Sequence, residues 1–443
     1  MKIPLLFLAA VAGYCQQPVS LRDAVKIALD QNKSIEAAGA ATDAAKEKIT
    51  QARAGYLPKA DYAESWARSD NPVFVFSSLL TQHQFGAQNF EIGNLNQPDF
   101  LNNFQSQLTV DQPLYDAGRT KRAVQAAELG RSAAMENSRR TKLDVMEGVV
   151  RSYFDVQLSV EQLRAANQAS QSAEADLKRA ESRVEAGMTT DVDVLSVKVH
   201  LAAVREEQIR RTADLDVSRA ALNDALGLGL DAQHELSTPL TALAIPATPL
   251  ADYESSAAAN RPESREAKLA TDLASNRARD ARNNLLPQVG LHGAFEADRQ
   301  RFYDRGGDNW LVSIGLRWNL FNGFGDKARI AESKAAVKQS EAQRARAESA
   351  IRLQVRRAWA SLRAAQQRIE AAQSTVAEAT ESLRISQNRY EAGLNTITDL
   401  LRTETALLEA QTRFLAAVHD QRVAAMMLEA AAGTLDANSE VLN

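Results

Sequence analysis

The sequence predicts a mainly α-helical chain with a β-barrel portion, in which long coiled-coil helices adjoin four transmembrane strands. Three observations predict this class. Prolines are absent from 114–238 and from 288–443, and both stretches are rich in strong helix formers. Aromatic residues concentrate instead in windows 56–115 and 287–324, which hold 17 of the 25. Similar segments also recur at fixed offsets, which is typical of a duplicated architecture.

The N-terminus predicts a signal peptide over residues 1–15. A basic Lys2 precedes an apolar run and an Ala-x-Ala site at 10–12, so the mature chain is expected to begin near Gly13 or Gln16. A frayed cytosolic N-terminus and lipid attachment at Cys15 are the alternatives, although Tyr14 is larger than the residue that a lipid-attachment motif places there. No other apolar run reaches 18 residues, so any passage through a membrane must use strands.

The first proline-free stretch predicts one very long helix over about 117–186. Apolar residues recur there every seven positions, as in Met146, Tyr153 and Val160. Such a heptad seam indicates helices packed along their lengths. A helix of roughly 70 residues would extend about 105 Å, much further than a compact domain requires.

The aromatic windows predict the four strands. Apolar and polar residues alternate after Pro58, over 104–114, over 289–296 and over 310–320. One apolar face with aromatics near the strand ends is typical of a membrane barrel, although a soluble β-sandwich shows the same alternation. Trp66, Trp310 and Trp318 are therefore either membrane-interface residues or core residues. The segment from Asp70 to Asn103 is predicted to be a long exposed loop, whose phenylalanines pack over the barrel mouth.

Self-comparison divides the chain into two repeats. Residues 53–58 match 282–287 at an offset of 229, whereas 113–117 and 183–188 match 319–323 and 389–394 at an offset of 206. We predict a first repeat over 16–228, a proline-bearing linker over 229–250 and a second repeat over 251–443. The difference of 23 residues between the offsets falls within the predicted loop.

These duplicated motifs resemble the TolC-like outer-membrane efflux protein family. The resemblance rests on the order of "ARAGYLP", two strands, "PLYDAGR" or "NLFNGFG", a long helix, and "RVEAG" or "RYEAG". Four strands cannot close a barrel, so the chain must oligomerise, and physical reasoning alone allows two or more chains. The resemblance implies a homotrimer, in which twelve strands form one barrel in the outer membrane and the helices form a periplasmic tunnel.

The turns after the long helices are the candidate functional sites. Gly187 and Gly393 are expected to end those helices, and Thr190 and Thr396 are expected to begin the next ones as capping boxes with Asp193 and Asp399. Three copies around an axis would also bring these acids into a ring that favours cations. In the resembling family, an Asp, a Tyr and basic residues hold the tunnel end shut. Tyr390 and Asp399 occupy the matching positions here, whereas Arg402 stands where the family's best-known member has an acid. The candidate constriction residues are therefore Asp191, Asp193, Arg389, Tyr390, Asp399 and Arg402.

Composition and motifs argue against other classes of function. A net charge of -4 argues against nucleic acid as a partner, and one cysteine with five scattered histidines indicates no metal or cofactor site. No motif of an enzyme is present, and the carboxylates on the helices are expected to be solvated or to line the tunnel. We predict a passive outer-membrane exit duct that works with a periplasmic adaptor and an inner-membrane pump. The alternative is a coiled-coil scaffold of the envelope without a pore.

Overall fold

The computed structural model describes residues 18–244 and 248–443. The predicted signal peptide, with Cys15, lies outside them. The chain forms long helices and a single four-stranded sheet, which confirms the predicted fold class. The elements are α1 (Leu21–Gln31), α2 (Lys33–Arg53), β1 (Lys59–Ser69), α3 (Pro72–Thr81), α4 (Ile92–Asn96), β2 (Leu101–Tyr115), α5 (Arg119–Glu185), α6 (Asp191–Leu226), α7 (Leu250–Asn260), α8 (Pro262–Asn283), β3 (Gln288–Arg299), β4 (Gly307–Arg317), α9 (Gly325–Glu391) and α10 (Ile397–Ala432).

The duplication is visible in the element boundaries. Helices α5 and α9 each have 67 residues, and α6 and α10 each have 36. Both pairs are separated by the offset of 206 that the sequence motifs show. Helices α1 and α7, which precede the strands of their repeats, are separated by 229. Each repeat therefore contributes two strands, one very long helix and one shorter helix.

The chain divides into two compact units. The first takes its residues from 18–40, 135–266 and 345–443, and the second comprises 41–134 and 267–344. The heptad seam lies in the core of the first unit, where Val149 and Tyr153 are fully buried and Met146 and Val156 almost so. Leu21 and Val25 of α1 join this core. Ser20 caps the start of α1 by accepting a hydrogen bond from the amide of Asp23. Within the described ranges, no helix is both long enough and apolar enough to cross a membrane.

The second unit contains the sheet, whose order is β1-β2-β3-β4 with every pair antiparallel. The two repeats meet at the central pair, where Leu108 lies opposite Phe295. Strand β2 is longer than predicted and carries an irregularity between Pro113 and Tyr115. Strand β4 ends at Arg317 rather than at Leu320. Just beyond it, the indole Nε1 of Trp318 donates to the carbonyl of Leu285 at 3.0 Å.

The segment between β1 and β2 is largely helical, so the prediction of a loop from Asp70 to Asn103 is wrong. The Asn71 side chain accepts hydrogen bonds from the amides of Val73 and Phe74, and Pro72 occupies the first turn, so α3 begins there. Within the segment, the ring of Phe85 packs edge-on against those of Phe76 and Phe90, at centroid distances of 4.6 and 5.1 Å.

The end of α3 lies directly on the sheet. The buried Gln82 amide donates to the Asn103 side chain at 2.8 Å, and Asn103 donates to the fully buried Asp298 at 2.6 Å. Gly307 makes this approach possible, since a Cβ at that position would lie 2.1 Å from the carbonyl oxygen of Thr81. The packing depends on contacts that are distant in sequence, which explains why local composition predicted a loop.

Candidate channel surfaces and helix-turn tips

The sheet has one apolar face and one polar face. Trp310, Val312, Ile314 and Leu316 project from alternate positions of β4 and are 77, 61, 70 and 66% exposed. Their partners across the sheet include Phe295 and Leu291. An exposed face of this composition is unfavourable in water but suits contact with lipid.

A charged cluster bounds this apolar face near the β3–β4 hairpin. The Arg299 guanidinium lies 3.1 Å from the Glu64 carboxylate and donates to the Ser106 hydroxyl at 2.7 Å. Trp66 and Trp310 are exposed on the same face, and Trp318 is 54% exposed just beyond β4. None of the three is a core residue, and exposed indoles at the ends of an apolar band are typical of the membrane–water interface.

The tip of the second repeat matches its predicted local structure. Gly393 adopts φ +75, the left-handed conformation that ends a helix, and Thr396 and Asp399 form a reciprocal capping box. The Thr396 hydroxyl donates to the Asp399 carboxylate at 2.7 Å. This bond, with the backbone amide of Thr396, lowers the pKa of Asp399 below its usual range. Asp399 is therefore ionised at neutral pH.

The tip of the first repeat differs from the predicted capping box. Gly187 has φ +70, as expected, but the side chain of Thr190 makes no capping hydrogen bond. The neighbouring Thr189 hydroxyl bonds Asp193 instead. Asp191 is the first residue of α6 and is exposed. The repeats thus share the position of the acid but differ in the threonine that holds it, a choice that depends on side-chain orientation.

Tyr390 is held by Arg183 of the other repeat. The guanidinium lies 4.6 Å from the ring centroid and donates to the carbonyls of Tyr390 and Glu391 at 3.0 and 3.3 Å. The Tyr390 hydroxyl is buried without a partner among the described residues. Arg402 approaches Asp399 at 3.9 Å, whereas Arg389 acts on Asp399 only through its charge. Arg183 was not predicted, although it occupies the position of Arg389 in the first repeat.

A buried carboxyl pair close to the tips was also missed. Asp176 of α5 is 2% exposed, and it shares a cluster with Arg179, with His200 of α6 and with Glu404 of α10. The expectation that helix carboxylates face solvent or line the tunnel is thus wrong for Asp176 and Glu404. Glu404 corresponds to Lys198 in the first repeat. This difference in charge between the repeats was a weak sequence signal that the two positions have different surroundings. Their burial itself depends on how three helices pack.

The candidate functional features are surfaces: the apolar face of the sheet and the two helix-turn tips. Across the described ranges, no group of three His, Cys, Asp or Glu side chains is placed to hold a metal ion. A sheet with an apolar, aromatic-flanked face, together with helices about 100 Å long, is typical of a channel-forming protein of an outer membrane.

Comparison with known proteins agrees with this class. The outer membrane efflux protein family matches residues 24–228 and 254–434. The outer membrane efflux protein BepC of Brucella suis is 25% identical over 373 residues, covering 83% of this chain and 80% of that one. The alkaline protease secretion protein AprF of Pseudomonas aeruginosa is 23% identical and covers 94% and 85%. The CmeC outer membrane channel of Campylobacter jejuni has a similar fold, with a TM-score of 0.78, 15% identity, and coverage of 100% and 95%.

The chain therefore belongs to the outer membrane efflux protein family. Its place is the outer membrane, and its role is transport through a multi-component efflux or secretion system.

Proposed function

We propose that three copies of this chain form the passive exit duct of such a system, receiving cargo from a periplasmic adaptor and an inner-membrane pump. The observation that carries the proposal is the open sheet. Strands β1 and β4 are its outer members, and an unpaired edge facing lipid leaves backbone groups without partners. Twelve strands from three chains would close the barrel, with the apolar face outward and the polar face lining the duct.

The proposal extends to the repeats and to the tips. Residues 16–228 and 251–443 would act as two equivalent halves, joined by the 229–250 linker. In a trimer, the Gly187 and Gly393 turns would surround one axis, with Asp193 and Asp399 at the constriction. Asp191, Arg389, Tyr390 and Arg402 would complete it. Because the chain belongs to an outer membrane efflux family, the energy would come from the pump.

The test uses charged substitutions on opposite faces of one strand. Ile314→Arg on the apolar face should block assembly in the outer membrane, because arginine on a lipid-facing strand costs about 2–4 kcal/mol at mid-membrane depth. Ser313→Arg, its neighbour on the polar face, is the matched control and should still assemble. Outer-membrane fractionation, heat-dependent mobility on gels and conductance in planar bilayers measure the outcome. Normal assembly of Ile314→Arg, or a wild-type trimer without conductance, would contradict the duct.

A further inference from the structure

A cavity of about 1060 Å³ lies in the second unit, where the strands meet the helices. Its strand wall includes alternate residues of the polar face, among them Lys59, His292 and Arg317, and its helix wall comes from α2, α5 and α8. The cavity thus lies on the polar side of the sheet. In the proposed trimer, this side lines the duct.

The cavity contains more cations than carboxylates. Five basic side chains line it, against three acidic ones. The basic residues are Lys59, Arg119, Arg122, Arg277 and Arg317, and the acidic residues are Asp111, Asp116 and Asp280. The chain as a whole has the opposite balance, with 56 acidic and 52 basic residues. The local excess is therefore a property of this surface.

Two of the three carboxylates already have partners. Asp111 lies 2.8 Å from the His292 ring nitrogen across β2 and β3. Asp116 accepts hydrogen bonds from the amides of Gly118 and Thr120 at 2.9 and 2.6 Å, so it caps the start of α5.

Within the described residues, none of the five cations has an ionic partner. Throughout the described ranges, no ion pair involves Lys59, Arg119, Arg277 or Arg317, and all four are exposed. Arg122 likewise forms no ion pair, although its guanidinium donates to the neutral Gln125 side chain at 2.7 Å. The positive charge of this surface is consequently available to a mobile anion.

We infer that this cavity is an anion-attracting section of the duct, which favours cargo bearing carboxylate or phosphate groups. The inference rests on the proposed trimeric duct. Concave surfaces lined by charges of one sign between low-dielectric walls concentrate counter-ions, and rings of Arg and Lys are how pores attract anions. Three copies would repeat the excess around the axis. The section is separate in the chain from Asp193 and Asp399, whose proposed ring attracts cations.

The test compares Lys59→Gln/Arg317→Gln with the wild type in planar bilayers of phosphatidylcholine, so that no anionic lipid can occupy the cavity. In a tenfold gradient of potassium chloride, the reversal potential of the variant should shift towards greater potassium selectivity. Inorganic tripolyphosphate should reduce the wild-type current, and the variant should lose most of this block. The control, Lys26→Gln/Lys33→Gln, removes the same charge from α1 and α2 outside the cavity and should match the wild type.

The outcomes separate this inference from the proposed function. Wild-type trimers without conductance would refute the duct itself. A conducting double variant with unchanged reversal potential and unchanged tripolyphosphate block would refute the anion-attracting section alone. If the strand variant fails to insert, Arg119→Gln/Arg277→Gln removes two cations from the helix wall and must give the same shift for the inference to stand.

Discussion

Glu404→Gln should make the packing of α10 against α5 and α6 insensitive to alkaline pH. Burial, followed by the hydrogen bond and the charge of Asp176, raises the pKa of Glu404 from 4.5 to about 8. If both carboxyls were ionised, Asp176 Oδ2 and Glu404 Oε1 would be buried acceptors without a hydrogen-bond donor among the described residues. A proton shared between the two carboxyls supplies that donor.

Other charges around the pair do not remove the need for this proton. Arg179 forms an ion pair with Asp176, approaches Glu391 at 3.7 Å and only partly opposes the rise in the pKa of Glu404. The His200 Nε2 atom lies 3.6 Å from Glu404. Burial lowers the pKa of His200, so the ring is neutral at pH 7 and provides no positive charge.

The sign of the pH dependence follows from proton linkage. The packed helices retain a proton that the opened chain releases above its ordinary pKa of 4.5. The stabilisation is thus fully present below that pH and is lost as the pH rises to about 8. At about 1.4 kcal/mol per pH unit for one proton, the upper limit is about 5 kcal/mol. Because the pair shares its proton and remains partly hydrated, we expect about 2 to 3 kcal/mol.

Hydrogen exchange of the amides around Asp176 and Glu404 measures this directly. Comparing the exchange rates of the wild type and Glu404→Gln at the same pH removes the contribution of the intrinsic exchange rate, which is the same for both. Between pH 5 and pH 8.5, the wild type should lose about 30- to 150-fold of protection relative to the variant. Glu409→Gln, on the same helix but in an exposed ion pair with Arg413, is the control and should follow the wild type. If the difference in protection between the wild type and Glu404→Gln stayed constant across this pH range, the shared proton would be refuted.

Three further predictions concern the tips. Asp193→Ala with Asp399→Ala should lower cation selectivity and weaken block by divalent cations if the acids form a ring, whereas an unchanged reversal potential in asymmetric salt would leave only their local roles at the helix starts. Gly393→Ala should destabilise the tip by about 1 kcal/mol, since φ is +75 there and alanine is strained in that conformation. Faster hydrogen exchange of the tip amides measures this loss, and Gly39→Ala, at an open helical position, is the control. Arg183→Ala should widen the constriction by releasing Tyr390, with larger single-channel conductance as the readout, and equal conductance would show that the contact is not a latch.

Regular patterns in the sequence determined most of the architecture. The heptad seam, the alternation of the strands and the two offsets are local or repetitive signals, and each corresponds to an element with nearly the predicted bounds. Gly187 and Gly393 were predictable because few residues other than glycine adopt the left-handed conformation readily. These features depend on backbone geometry and on a periodic burial pattern, which neighbouring residues specify.

Only the tertiary structure decided the features that depend on distant partners. Helix α3 lies on the sheet through Gln82, Asn103 and Asp298, and Asp176 meets Glu404 although 228 positions separate them in the chain. The cationic cavity likewise collects side chains from both repeats. A charged residue on a helix has the same local pattern whether it faces water or another helix. Its burial, and with it its pKa, is decided by the packing of elements that the local sequence does not contain.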